Sequence, residues 1–207
     1  WNMVQIEAMG ITDNVVELMI GKLKKLPKAS QHVLRLAACV GNRFDLNTLS
    51  VIHETSTSET FHHMRQVLTE GLVLPTSELE LTEDDILQSE LSILNFQFLH
   101  DRVQQAAYAL IDDSQKKSVH LQIGRLLLKN TRTEELEGHL FDIVEQLNHG
   151  LELLDNQAER SEIAHLNFRA GKKAKVATAY EAAVKYLIIG REYLAEDSWE
   201  TEYDLTF

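Results

Sequence analysis

Between Leu91 and Ile111 the apolar residues change their period, and this change constrains the fold more than any other feature of the chain. Leu91, Ile93, Phe96 and Phe98 alternate as a strand does, whereas Val103, Ala106, Ala107, Leu110 and Ile111 follow a helical period of about 3.6. The switch falls at His100-Asp101. Asp101 can cap the new helix or sit favourably at its positive N-terminal end. An imidazole is thereby presented at a strand-to-helix corner beside backbone N–H groups, a place suited to an anion.

The segments leading to this corner read as four helices. Thr12-Asp13 opens the first, with Val16, Met19, Ile20, Leu23 and Leu26 apolar and Pro27 closing it. The second starts at about Ser30, carries Val33, Leu34, Ala37 and Val40 on one face, and stops at Gly41. Asp45 begins a short third helix through Leu46, Leu49 and Ile52. Ser58 begins the fourth, with Phe61, Met64, Val67 and Leu68 inward and Gly71 at its end. Leu72-Val73-Leu74-Pro75 and Leu91 to Phe98 are two strands around an acidic loop. Helices followed by a two-stranded ribbon make a winged helix.

Beyond the corner the pattern is helical throughout. Ser114 to Lys129 places Val119, Ile123, Leu126 and Leu127 on one face. Thr133 to Leu154 carries a long stripe of Leu136, Leu140, Ile143, Leu147, Leu151 and Leu154. Glu159 to about Ala174 and Tyr180 to about Leu194 form a pair with small residues at Ala170, Gly171, Ala174, Ala183 and Gly190. Gly171, Ala183, Leu187 and Gly190 keep the offsets of a tetratricopeptide unit, one repeat of which is visible. Trp199 opens a further helix, and an apolar face is expected to stand exposed at the C-terminal end. The expected fold class is mainly α: a winged-helix domain with a small β-ribbon over residues 1–112, then a tetratricopeptide-like α-superhelix over residues 113–207. Starting at Trp1 and stopping at Phe207 without a closing cap, the sequence reads as a segment of a longer chain.

Leu99-His100-Asp101 resembles the Met/Leu-His-Asp corner of the signal-transduction ATPases with numerous domains, where a winged helix follows the nucleotide-binding module. Plant resistance proteins and apoptotic ATPases are examples. Ile11–Ile20, Leu36–Asn42, Glu70–Pro75, Phe98–Tyr108 and Tyr180–Ala183, in that order, are similar to the central region of large bacterial, especially cyanobacterial, multi-sensor kinases. Those proteins join a serine/threonine kinase domain, an ATPase module, helical repeats, GAF-type sensors and often a histidine kinase. The resemblance covers nearly the whole chain.

It implies a regulatory and scaffolding segment that senses nucleotide on an adjacent ATPase domain in cis and relays that state through the repeats. His100 would contact the β-phosphate of ADP, with Asp101 as capping and orienting partner. Exchange to ATP would release the winged helix. ATP, ADP and magnesium would belong to the parent's ATPase and kinase domains, and a groove between repeat helices could take a protein partner. The residues alone leave His100 a second reading, a buried imidazole that bonds backbone and locks the corner.

The chemistry that is missing bounds the rest. There is no Gly-x-x-x-x-Gly-Lys-Ser/Thr or Gly-x-Gly-x-x-Gly loop and no kinase His-Arg-Asp loop, so no catalytic residue is expected here. His62-His63 are neighbours that point about 100° apart on a helix and cannot chelate as an i, i+4 pair. His53, His120, His139, His149 and His165 are dispersed over the predicted helices without Cys partners, so no metal site is expected. Cys39, in an apolar run, reads as a buried small residue, and a single cysteine fits a reducing cytoplasm. A net charge of −12 argues against a nucleic-acid partner. The alternative reading, a winged-helix DNA-binding transcription regulator, would place an acidic wing with Glu78, Glu80, Glu83, Asp84, Asp85 and Glu90 against phosphates. No apolar stretch reaches membrane-spanning length.

Overall fold

The computed structural model describes residues 15–76 and 94–194. The described residues are mainly helical with one small three-stranded sheet. The chain divides into two compact units, Trp1–Lys116 and Lys117–Phe207.

In the first unit, helical residues 15–23 (α1) bury Leu23, and Leu26 is buried in the turn that follows. The expected start at Thr12-Asp13 lies outside the described residues. Helix α2, Lys28–Val40, starts two residues ahead of the expected Ser30, because Pro27 supplies an extended N-terminal boundary with φ −52° and ψ 147°. The Gln31 amide then donates to the carbonyls of Lys24 and Leu26 and ties the incoming turn to the helix. At the other end Gly41 takes φ 147°, a backbone that only glycine adopts easily.

Strand β1, Arg43–Asp45, was not foreseen. It pairs antiparallel with β3, Asn95–Phe98, which also pairs antiparallel with β2, Val73–Pro75, giving the order β1-β3-β2. A three-stranded sheet therefore replaces the expected two-stranded ribbon. Phe44 sits opposite Phe96 and touches Phe98, the ring centroids being 5.9 and 5.6 Å apart, and all three are buried. The Leu91 and Ile93 part of the expected strand, and the acidic loop, lie outside the described residues.

Asp45 ends β1 and caps α3, Leu46–His53, its carboxylate accepting the Thr48 N–H at 2.7 Å. Helix α4, Thr57–Thr69, is capped by Ser56, not Ser58, through the Glu59 N–H. Buried Val33, Leu34 and Ala37 of α2, Leu46 and Leu49 of α3, and Met64 and Val67 of α4 contribute to the core of this unit. Helix α5, Asp101–Ala109, adds Val103, Ala106 and Ala107 and packs on α2.

Helix α6, Asp113–Asn130, carries the boundary between the units. Its buried positions include His120, Leu121, Ile123 and Gly124, so the inward face is rotated from the expected one; Val119, Leu126 and Leu127 are only half-buried. Helix α7, Leu136–Asn148, buries Leu140, Ile143 and Leu147. The stripe continues through buried Leu151 and Leu154, but the α-helix does not: a 3-10 turn, Leu151–Leu153, follows Gly150. Gly124 and Gly150 explain both corrections. A Cβ on Gly124 would lie 2.7 Å from the Leu147 side chain, and one on Gly150 would lie 2.8 Å from the Lys117 carbonyl. The two glycines let α7 and its end close directly on α6.

Helix α8, Gln157–Val176, is capped by Asn156 through the Ala158 N–H and contributes buried Ile163, Leu166 and Ala170. Helix α9, Tyr180–Tyr193, packs on α8 with Ala183 and Gly190 buried between them. A Cβ on Gly171 would lie 2.7 Å from Leu187, so the small residues singled out in the sequence do set this helix pair. The expected helix at Trp199 lies outside the described residues.

Candidate functional site

The corner is built by β3 and α5. After Phe98 turns inward, Leu99 donates its N–H to the Leu72 carbonyl at 3.0 Å and leaves its side chain 56% exposed. His100 is extended, with φ −157° and ψ 148°, and α5 begins at the next residue. The cap is His100 itself: its Nδ1 accepts the Arg102 N–H at 3.1 Å. This corrects the expectation that Asp101 caps the helix. Asp101 is the first helical residue, and its exposed carboxylate sits in the first turn, where the helix dipole favours it.

The His100 ring is exposed, which overturns the buried-imidazole reading, although the bond to backbone is present. With Nδ1 accepting, the neutral ring carries its proton on Nε2, which is then a donor. Arg102 is held sideways, its guanidinium donating to the Gln105 amide oxygen at 2.7 Å.

Three histidines that the sequence scattered come together elsewhere in this unit. His32 of α2 and His63 of α4 flank His53 at the end of α3, with ring centroids 5.6 and 5.4 Å from it. Nδ1 of His53 bonds the hydroxyls of Thr55 and Thr60 at 2.6 and 3.0 Å, while the buried Nδ1 of His63 has no partner. Burial pushes His32 below the ordinary histidine value, and Arg35 and His63 add to the shift. Burial lowers His53 too, with His32 and His63 adding to it and Glu59 opposing. In the second unit His120 and His149 stack at 4.3 Å, and Nδ1 of His120 bonds the Gln146 amide at 2.7 Å. Among the described residues no three His, Cys, Asp or Glu side chains are arranged to hold a metal ion. Sequence reasoning missed the triple contact because its members stand on three different helices.

Cys39 is buried, and burial pushes its thiol up to about 12, so it is protonated and unreactive at neutral pH. Among the described residues no helix is long and apolar enough to cross a membrane.

The chain is 32% identical, over 255 aligned positions, to part of the hybrid signal transduction histidine kinase G of Dictyostelium discoideum. That stretch of similarity is to a signal-transduction kinase. The alignment takes in all of this chain and 7% of that much longer protein. No protein-family model matches the sequence, and no solved structure matches it.

Proposed function

We propose that this chain is a non-catalytic regulatory segment of a multidomain signalling ATPase/kinase, reading the nucleotide state of an adjacent ATPase domain and relaying it through helical repeats. The observation that carries the proposal is the His100 residue: exposed, with its Nδ1 engaged by the Arg102 N–H, which leaves Nε2 as the ring's donor. Such a donor suits the β-phosphate of ADP bound by a neighbouring domain. A charge-assisted hydrogen bond of about 1.5–3 kcal/mol would bias a closed state roughly ten- to a hundredfold. Asp101 steadies the helix start from which the ring projects.

Two features of the fold support the relay. The order α2-β1-α3-α4-β2-β3, with β1 joining the sheet, suits a winged helix. The α8–α9 hairpin, closed on Gly171 and Gly190, suits the first unit of a tetratricopeptide-like superhelix that would take a protein partner. The relationship to a signalling histidine kinase supports the setting. ATP, ADP and magnesium would be held by the parent's ATPase and kinase domains, in the cytoplasm. The exposed face of α4 carries Glu59, His62 and Arg65, with Glu70 just past its end, a poor set for DNA phosphates.

The test is ADP retention by the full parent protein with His100→Ser, which removes the imidazole but keeps a good helix cap. Release about tenfold faster with unchanged melting supports the sensor. Unchanged release overturns it.

A further inference from the structure

In the second unit the last turns of α6 and the first turns of α8 line a cleft of about 430 Å³, with α7 supplying part of its floor. That floor is apolar: Leu147 and Ile163 are buried, and Leu128 and Leu136 are half-buried. The walls carry charges of opposite sign. Arg125 and Lys129 stand on α6, and Glu159 and Glu162 stand on α8.

These four side chains make two rungs, of which one is closed. Arg125 Nε and Nη2 donate to the two Glu159 carboxylate oxygens at 2.6 and 2.9 Å, a bidentate bridge between the walls. Lys129 follows Arg125 by four residues and Glu162 follows Glu159 by three, so each lies one helical turn further along the same face. This second rung is open. Among the described residues Lys129 and Glu162 make no ion pair or hydrogen bond, with each other or with any other side chain.

An apolar floor between an unmatched ammonium and an unmatched carboxylate is complementary to a zwitterion with an apolar side chain. A ligand of one sign would meet repulsion on one wall. A neutral apolar ligand would desolvate both charges and pair neither. The volume lies toward the lower end of the roughly 300–1,000 Å³ of small-molecule sites, which suits a small ligand.

We propose that this cleft binds a free amino acid with a branched or aromatic apolar side chain. Its carboxylate meets Lys129, its ammonium meets Glu162, and its side chain rests on Leu128, Leu136, Leu147 and Ile163. The bound ligand closes the second rung and adds a bridge between α6 and α8. Lys129 and Glu162 are both exposed, and exposed ion pairs are weak, so the side chain supplies most of an affinity in the roughly millimolar range. The site is independent of the nucleotide reading of His100 and of the repeat reading of α8 and α9.

The test titrates the whole chain calorimetrically with L-leucine, L-methionine and L-phenylalanine, each to about 10 mM. At least one should bind, and glycine, which lacks the side chain, should not. Lys129→Gln and Glu162→Gln should each weaken that binding about threefold or more while helical circular dichroism is unchanged, both sites being exposed. Lys175→Gln, at an exposed α8 site outside the cleft, should leave it as it is.

Blocked forms of the same amino acid assign the two charges. Its amide, lacking the carboxylate, and its N-acetyl form, lacking the ammonium, should each bind more weakly than the free amino acid. Whatever binding remains should ignore Lys129→Gln for the amide and Glu162→Gln for the N-acetyl form; the opposite dependence overturns the orientation. Absence of binding by all three amino acids overturns the proposal, as does binding that ignores both substitutions. Equal binding of the N-acetyl amide, capped at both ends as in a peptide, also overturns it and gives the cleft to a polypeptide segment.

Discussion

Asn148 and Asn167 exchange two side-chain hydrogen bonds, at 2.8 and 2.9 Å, between the end of α7 and the middle of α8. Asn167 is fully buried and also donates to the Ile163 carbonyl at 3.0 Å, so its amide is satisfied inside the second unit. A reciprocal amide pair fixes the register of two helices more strictly than apolar contacts do, since a slip would leave polar groups unpaired.

Asn167→Leu should therefore destabilise the second unit by about 1–3 kcal/mol, because Asn148 loses both its bonds. Adding Asn148→Leu should recover part of that loss. Chemical denaturation of the four members of this double-mutant cycle measures the coupling, and simple additivity would mean the pair contributes nothing as a pair.

The glycines grade a second set of substitutions. At Gly124 a Cβ meets the Leu147 backbone nitrogen at 2.9 Å, and at Gly150 it meets the Lys117 carbonyl at 2.8 Å. Backbone cannot yield cheaply, so Gly124→Ala and Gly150→Ala should each cost about 1–3 kcal/mol. At Gly171 the nearest atoms belong to the Leu187 side chain, at 2.7 and 2.8 Å, which can rotate. Gly171→Ala should cost clearly less than the other two, as thermal melts of the three variants would show.

These contrasts mark what the sequence discloses. Helices α2, α3, α4, α8 and α9 were legible because periodic apolar residues coincide with local punctuation, such as Pro27, Asp45 and Gly41. Strand β1 was not, since it has three residues, a single apolar one in Phe44, and a last residue that doubles as the α3 cap. The stripe through Leu147, Leu151 and Leu154 hid the break after Asn148, because a 3-10 turn can keep the same residues inward. Gly171 was legible from its spacing to Ala183, whereas Gly124 matters only through a partner helix that no local pattern names. At the corner the sequence located the imidazole but assigned the cap to Asp101, the better capping residue by type; one residue of register gave it to His100.

The His32–His53–His63 contact should make the first unit sensitive to acid. Both His32 and His53 lie below the ordinary value of 6.5, chiefly through burial. Above that value the rings are neutral whether the chain is folded or not, and nothing is lost. As pH falls, the unfolded chain takes up protons that the folded cluster resists, so stability declines through the lowered folded values. Melts of the first unit between about pH 7.5 and 5.5 should show this decline, lessened by His53→Gln and unaffected by His139→Gln at an exposed site in the other unit. An unchanged slope in His53→Gln would assign the acid sensitivity to other groups.

The cap at His100 yields the last prediction, and it separates structure from sensing. His100→Ala removes the acceptor for the Arg102 N–H and should cost about 0.5–2 kcal/mol, at the low end because the site is exposed and water can replace the ring. His100→Ser and His100→Asn supply an oxygen acceptor at the same position and should melt close to the parent chain. Hydrogen exchange at the Arg102 amide reads the cap directly: faster in His100→Ala, near parental in the other two. If all three variants exchange and melt alike, the bond at 3.1 Å contributes nothing to the start of α5, and the position of the ring needs another cause.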